Sequence, residues 1–366
     1  MIVPAREYHR RKNFYLVASI LVQTLFLSVF AVLSVHGHWP QTFGRLGYFS
    51  LFFALWQAVL WPIRTRSGWR LEKDFGLLKQ SFGGWLADTF KAQLLSFVLF
   101  LAGAFIFYGT VRTWPSQWWW VLAALTFGFS TFFSTLFPVW VLPLFYRSTP
   151  LKDPALIAHL EETLQHCGFP KLPLFELRLG EKTSRANAML TGFGRTRRAL
   201  LSDTLLSGYT TPQIQMVLAH EAGHHALAHL WRTLALEATV AAAGFFALYR
   251  ASDALAALFG VENLLDLRLF PALVLLSYLA GIALLPAKNA VSRFHEKEAD
   301  RYALRRYPNP ETFRTLMEKL ADQNLANPTP GKWEEFLLYT HPSKQKRLEA
   351  AEKFVRMFLA NSPRAH

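Results

Sequence analysis

Long charge-free windows dominate the pattern of this chain, running from Phe14 to Val35, Leu46 to Ile63, Ala92 to Val111, Thr113 to Tyr146 and Leu269 to Ala287. Each is near or above the roughly 18 residues that mark a bilayer-crossing helix. A sixth stretch, Thr233 to Tyr249, is alanine-rich and carries one acid, Glu237. That acid is costly in hydrocarbon unless it faces protein, water or the interface. Six spans are predicted. Thr113 to Tyr146 reads as one crossing, with Trp114 and Trp118 to Trp120 as an aromatic belt and Pro138 and Pro143 breaking the far end. The first window is too long for the apolar core of a cleaved leader, and no clear small-residue cleavage site follows it, so it reads as a retained anchor.

The remaining segments carry shorter periods. Asp153 to His166 has helical apolar spacing, with Asp153 as a cap and Pro154 in the first turn. In "PLFELRLG", Phe175, Leu177 and Leu179 alternate with Glu176 and Arg178, the period of a half-buried strand. "ANAML" and "RALLSD" predict two further strands around the turn "TGFGRT". Next, Thr211 is positioned as a cap with Pro212 in the first turn, and no breaker follows until well past Trp231, so this helix is expected to run on into the fifth span. The chain thus divides into a membrane half, 1–146, with four spans, and a second half, 147–366. The latter holds a small sheet, two further spans (about 233–249 and 269–287) and a polar tail.

Composition agrees: 52% hydrophobic and 15% aromatic residues in 366 are too many for an ordinary soluble domain. The segments 1–13 and 64–91 hold four and six Lys and Arg, whereas 36–45, 112 and 250–268 hold one, one and two. With six spans, this bias puts both termini, the 147–232 segment and the tail after Ala287 on the cytoplasmic side. The net charge of +14 then suits contact with anionic membrane lipids. No aromatic-plus-basic recognition motif supports nucleic acid as a partner. Cys167 is the only cysteine, which excludes disulfides within the chain and thiolate zinc sites.

The candidate chemistry lies in "VLAHEAGHHALAHL". On a helix, His220 and His224 are about 40° apart and one turn along, so both imidazoles can point at one metal ion, with Glu221 alongside to reach a water. For this composition, 12 His and 17 Glu, an HExxH pattern arises by chance roughly 0.02 times per chain, so it is informative. His225 lies a quarter-turn off that face and His229 about 180° from His220, which makes both surface or interface residues. Catalytic zinc takes three protein ligands. In "NAVSRFHEKEAD", Asn289, Arg293, Glu296 and Asp300 form one polar stripe; Glu296 can be the third ligand and Asp300 can orient a ligand imidazole. His295 and Glu298 are the competing third ligands, ranked lower because they lie off the stripe.

"HEAGH" followed about seventy residues later, across a membrane hairpin, by "SRFHEKEAD" resembles the type I CAAX prenyl protease family and its bacterial heat-shock zinc protease relatives, which share HExxH…ExxAD. "WRLEKDFGLLKQSFGGWLADTFKAQLL", "LPLFYRSTPL", "ANAMLTGFGRTRRALLSDTLL" and "YTHPSKQKRLEA" are similar to the prenyl protease branch. The resemblance implies a mainly α, polytopic membrane protein with a zincin-like α+β metalloprotease domain. It implies one zinc ion held by His220, His224 and Glu296, with Glu221 as general base in peptide-bond hydrolysis. It also implies a hollow chamber walled by the spans, its catalytic site near the cytoplasmic side. The strand edge at Asn187 and Ala188 is expected to hold an extended substrate. His341 or Arg347 is the candidate donor to the developing oxyanion if the tail folds back; alternatively Arg347 pairs with Glu349 or Asp300. No endoplasmic-reticulum retrieval tail is evident, and a bacterial cytoplasmic membrane is the expected location. The substrate is a peptide or protein, lipid-modified if the enzyme processes short tails. Degradation of misfolded membrane proteins is the alternative, and a metal-binding transporter or scaffold the non-enzyme one.

Overall fold

The computed structural model of the chain describes residues 2–361 apart from 38, 170, 193 and 328. Phe193, in the expected "TGFGRT" turn, therefore lies outside the described residues. In order, the elements are α1 (Ile2–His36), α2 (Trp39–Arg64), α3 (Leu71–Asp74), α4 (Phe82–Thr113), α5 (Trp118–Trp140), β1 (Ser148–Pro150), α6 (Pro154–His166), β2 (Leu174–Leu177), β3 (Ala188–Thr191), β4 (Arg198–Ser202), α7 (Asp203–Gly208), α8 (Thr211–Ala226), α9 (His229–Leu258), α10 (Phe270–Arg306), α11 (Pro310–Gln323), α12 (Lys332–Leu338) and α13 (Lys344–Asn361). Six helices among the described residues are long and apolar enough to cross a bilayer: α1, α2, α4, α5, α9 and α10. This is a polytopic α-helical membrane protein.

α1, α2, α4, α9 and α10 extend beyond their apolar windows where the polar flanks also favour helix, whereas α5 stays within Thr113 to Tyr146. α4 starts at Ser81, whose side chain accepts from the Gly84 N–H, and α6 at Asp153, which accepts from Ala155 and Leu156. The aromatic content of the spans is used for packing. Phe30, Tyr48, Phe49, Phe52, Tyr108 and Phe270 pack as one buried cluster, with Phe49 and Phe270 ring centroids 4.6 Å apart. The acid in the fifth span, Glu237, meets Lys288 of α10 at 3.8 Å, both of them partly exposed.

The sheet has the order β1-β2-β4-β3, with β2 and β4 parallel and the outer pairs antiparallel. The strand expected over Phe175 to Leu179 ends at Leu177. The Leu179 N–H turns away to the Asp203 carboxylate at 3.0 Å, so local capping wins over alternation. β1 is three residues long, too short to show a period. A core of α6, α8, α11, α13 and the sheet packs beneath, centred on Leu160, Leu164, Leu201, Ile214, Met216 and Phe313.

Two polar ties connect the first loop to the sheet. Tyr8 and Arg185 share Glu72, at 2.6 and 2.8 Å, and Lys182 pairs with Asp88. Lys79 N–H also donates to the Lys182 carbonyl at 2.8 Å.

The helix carrying the histidines does not run on into the fifth span. α8 starts one residue after its Thr210 cap and ends at Ala226, and Ala228 takes a left-handed conformation, φ 54° and ψ 34°, before α9 begins. No Gly, Pro or Asn marks the break. An alanine in this conformation costs about 1 kcal/mol, so packing on both sides must hold it there. Ala228→Gly is therefore expected to raise the thermal melting midpoint of the detergent-solubilised protein and Ala228→Val to lower it; the opposite order would show that the break is unstrained.

Candidate functional site

Two helices separated by a membrane hairpin build the site. α8 and α10 pack so closely that a Cβ added at Gly223 would lie 3.1 Å from Tyr302 Cβ and 3.2 Å from Ala299 Cα. Glycine at this one point of "HEAGH" lets the backbones approach, and the polar stripe of α10 then faces the histidines of α8. Pattern reading singled out the motif's ionisable residues and missed this glycine, whose partners lie more than seventy residues away.

The approach brings His220, His224 and Glu296 together. The Nε2 atoms of the two histidines are 3.2 Å apart, Glu296 Oε2 is 3.5 Å from His220 Nε2, and Glu296 Oε1 is 3.4 Å from His224 Nε2. Donors placed tetrahedrally at about 2.0–2.1 Å from zinc sit about 3.3–3.4 Å apart, so this triangle fits one such ion. Glu296 Oε2 is buried and has no partner in hydrogen-bond geometry, although His341 Nδ1 comes within 2.8 Å. His220 Nδ1 faces Asp300 Oδ1 at 3.0 Å. Burial works against a charge on His220, but the Asp300 and Glu296 carboxylates outweigh it and push the imidazole up to about 10. Such a negative field is one that a divalent cation would satisfy. Glu221 is beside the triangle, and burial raises its carboxyl above the ordinary value against the lowering effect of His220 and His224.

The other expected residues are divided between this centre and its supports. Of the two parts considered for Arg347, the structure has the pairing with Asp300, through Nε at 2.8 Å and Nη2 at 2.5 Å, with Glu296 Oε2 3.9 Å away. His341 is exposed at the mouth of the same site. Asn289 and Arg293 direct their hydrogen bonds to main-chain carbonyls. Asn289 donates to the Leu337 carbonyl at 2.7 Å, and Arg293 to those of Glu335, Phe336 and Tyr339, so they tie α12 and the turn before His341 to α10. Their place on the stripe was readable; their partners, more than forty residues on, were not. Glu335 fastens the same turn through the Ser343 N–H and Lys346.

A cavity of about 340 Å³ opens beside the triangle. One wall is His220, Glu221, Glu296, His341 and Arg347; Asn187 and Ala188 form its rim, and Leu205, Met216, Phe313, Leu316 and Leu320 its apolar end. β3 is the sheet edge here. Asn187 faces β4, its carbonyl accepting from the Ser202 N–H, so by strand alternation Ala188 and Leu190 face the open edge. The Leu190 carbonyl is met by His225 Nε2 at 2.6 Å, which ties α8 to β3.

His229, expected at the surface or an interface from its angular position on one continuous helix, stands at an interface. The break at Ala228 swings it inward, where it is 4% exposed and its Nδ1 meets His224 Nδ1 at 2.9 Å. His295 stacks on it with ring centroids 4.2 Å apart, and Glu298 Oε2 lies 3.3 Å from its Nε2. The two competing third ligands thus belong to a second cluster behind His224.

Facing helices that converge two imidazoles and a carboxylate, with a further carboxylate alongside, in a chain of six spans define a membrane metalloprotease. Residues 150–355 match peptidase family M48, and residues 5–147 match the family described as CAAX prenyl protease N-terminal, five membrane helices; four of the six long apolar helices lie in that part. The chain belongs to the CAAX prenyl protease family within M48. The uncharacterized metalloprotease YhfN of Bacillus subtilis is 30% identical over 290 residues, 78% of this chain and 68% of its own. CAAX prenyl protease 1 of Saccharomyces cerevisiae is 30% identical over 55% of this chain and 45% of its own, and an Arabidopsis thaliana homolog 29% over 80% and 69%. The crystal structure of S. mikatae Ste24p shares the fold, with a TM-score of 0.81 over 95% of this chain and 88% of that one at 23% identity.

Gly223→Ala puts a methyl into contacts of 3.1–3.2 Å and must part α8 from α10 by a few tenths of an ångström. Overpacking of this kind costs about 1–3 kcal/mol. Metal affinity, measured by chelator competition, is expected to fall at least about tenfold for Gly223→Ala and further for Gly223→Val; unchanged affinity in both would show that the close approach does not set the triangle.

Proposed function

We propose that this protein is a zinc endopeptidase that cuts short peptide tails, lipid-modified ones included, at the cytoplasmic face of a bacterial membrane. His220, His224 and Glu296 hold the ion, Glu221 is the general base, and Asp300 orients His220. The observation that carries the reading is the donor triangle with edges of 3.2–3.5 Å and Glu221 at its side. Zinc bound there supplies Lewis acidity, activating water near neutral pH and polarising the scissile carbonyl.

Glu221 takes the proton of the attacking water and returns it to the leaving amine, and its burial-raised pKa suits a group that must do both. His341, exposed at the cavity mouth, donates to the carbonyl oxygen as negative charge develops; Arg347 is committed to Asp300 and holds it against His220. The peptide runs along β3, where Ala188 offers its N–H and carbonyl and Asn187 lines the rim. The apolar end of the cavity, at Phe313 and Leu316, favours aliphatic or aromatic side chains next to the cut bond.

The chamber belongs to the same reading. An apolar cavity of about 390 Å³ between α2, α4, α9 and α10, lined by Trp56, Phe100, Phe107, Phe245 and Phe270, offers room for hydrocarbon within the spans. The names of the yeast and plant relatives support a prenylated substrate for this chain. The Lys and Arg bias of the loops supports the cytoplasmic orientation.

Glu221→Gln is expected to keep one zinc per chain and lose at least a thousandfold in kcat, since it removes a base and not a ligand. Wild-type turnover in that variant would refute its role. Glu296→Ala is expected to strip the metal, measured by elemental analysis of purified protein; a retained equivalent would move the third ligand elsewhere. Detergent-purified enzyme given a farnesylated CAAX peptide and, separately, an unfolded membrane protein is expected to cut the peptide in a chelator-sensitive manner. Cleavage of the unfolded protein alone would assign the enzyme to quality control.

A further inference from the structure

The second cluster, His229, His295 and Glu298, has the residue types of a metal site and lies directly behind a ligand of the first. We propose that it holds no metal and instead acts as a positioning relay that fixes the tautomer and plane of His224, with His229 as its central member.

The hydrogen bonds assign the protons. His224 Nε2 faces His220 Nε2 and Glu296 Oε1, so it is the nitrogen turned to the ion, and Nδ1 carries the hydrogen. That N–H has His229 Nδ1 at 2.9 Å as its acceptor. His229 must then carry its own hydrogen on Nε2, which is directed at Glu298 Oε2, 3.3 Å away. Glu298 is held in turn by Arg232 Nη1 at 2.7 Å. Each ligand imidazole is thus backed by a chain that ends on an arginine: His220 by Asp300 and Arg347, His224 by His229, Glu298 and Arg232. Such outer contacts set ligand orientation and basicity.

The same contacts argue against a second ion. The His229 and His295 rings are parallel within 8° at 4.2 Å, so an ion between them would lie off both ring planes, away from the in-plane lone pairs. Nδ1 of His229 is already used, and the Arg232 guanidinium sits on the one carboxylate. Stacking does explain the buried His295: it fixes the plane of His229. The left-handed Ala228 explains how His229 arrives, since on an unbroken helix its side chain would point away from His220.

This inference rests on zinc binding at His220, His224 and Glu296, and the test separates the two. Zinc stoichiometry and zinc affinity by chelator competition are measured on full-length protein in detergent for wild type, His229→Asn, His229→Phe, Glu298→Gln and Glu296→Ala. Asparagine can put an acceptor oxygen where Nδ1 lies; phenylalanine keeps the stacking and removes the acceptor. One zinc per wild-type chain is expected, with affinity reduced 10–100-fold in His229→Phe, restored to within about threefold in His229→Asn, and reduced less in Glu298→Gln. With zinc in excess, KM for a peptide is expected to stay at the wild-type value while kcat in His229→Phe remains reduced.

Two zinc ions per wild-type chain, one of them lost in His229→Phe, would overturn the proposal in favour of a second metal centre. So would affinity in His229→Asn as weak as in His229→Phe, because packing alone would then explain both. Unchanged affinity in every His229 and Glu298 variant, with zinc still lost in Glu296→Ala, would overturn the relay and leave the site reading intact. A wild-type protein that binds no zinc overturns both. Should His229→Phe fail to fold, the affinities of His229→Asn and Glu298→Gln decide, wild-type-like in the first and weakened in the second being the result that supports the relay.

Discussion

The backbone contact between α8 and α10 at Gly223 is the constraint on which the site depends. The imidazoles belong to one helix and the carboxylate to another, and a hairpin of two spans separates them in the chain. Only a close approach brings side chains with two or three rotatable bonds to within 3.5 Å of one another without leaving gaps between the helices. Everything else at the site is arranged to keep that contact. α6 and β3 pack on α8, while α12 and α13 pack on α10. Asn289 and Arg293 spend their donors on carbonyls of the α12 segment, and so couple the position of His341 to the helix that carries Glu296.

Charge balance explains why so many ionisable groups tolerate burial. Glu221, Glu296 and Asp300 bring three negative charges into a space of low polarity, and Arg347 brings one positive charge. A divalent cation supplies the remaining two, leaving both histidines neutral and free to donate electron pairs. Without it the deficit falls on His220, whose imidazole is pushed far above its ordinary value by the two carboxylates. The arrangement is one in which metal and proton compete for the same charge, so the folding of this region and the binding of its ion are linked.

What could be read from the residues follows from how local each signal is. Six spans are visible because a bilayer demands a run of apolar residues whatever they pack against. His220 and His224 share a face because four residues make about one turn, and Glu296 and Asp300 fall on one stripe for the same reason. The features that escaped depend on contacts between distant segments or on single backbone angles. Gly223 looks like any glycine until α10 is laid against it. The inward turn of His229 is not legible because nothing in "HALAHLW" signals a break, and the left-handed residue there is an alanine. The partners of Asn289 and Arg293 are main-chain carbonyls, which carry no sequence signature. β1, three residues long, pairs with β2 because the turn after α5 delivers it there.

The depth of the site follows from the same helices. α10 runs from Phe270 to Arg306 through Pro286, so Glu296 stands on the helical continuation of the last span. It stands nine residues beyond Ala287, where the charge-free window ends, which at 1.5 Å per residue is about 14 Å. On the proposed reading, in which the peptide is tethered at the membrane, about four extended residues, roughly 13 Å, would span that distance. An extended backbone is also the form that the open edge of β3 can pair with, and Ala188 lies on the rim of the same cavity. On the proposed reading, helix length and strand edge therefore favour the same substrate property, a short extended segment next to the membrane.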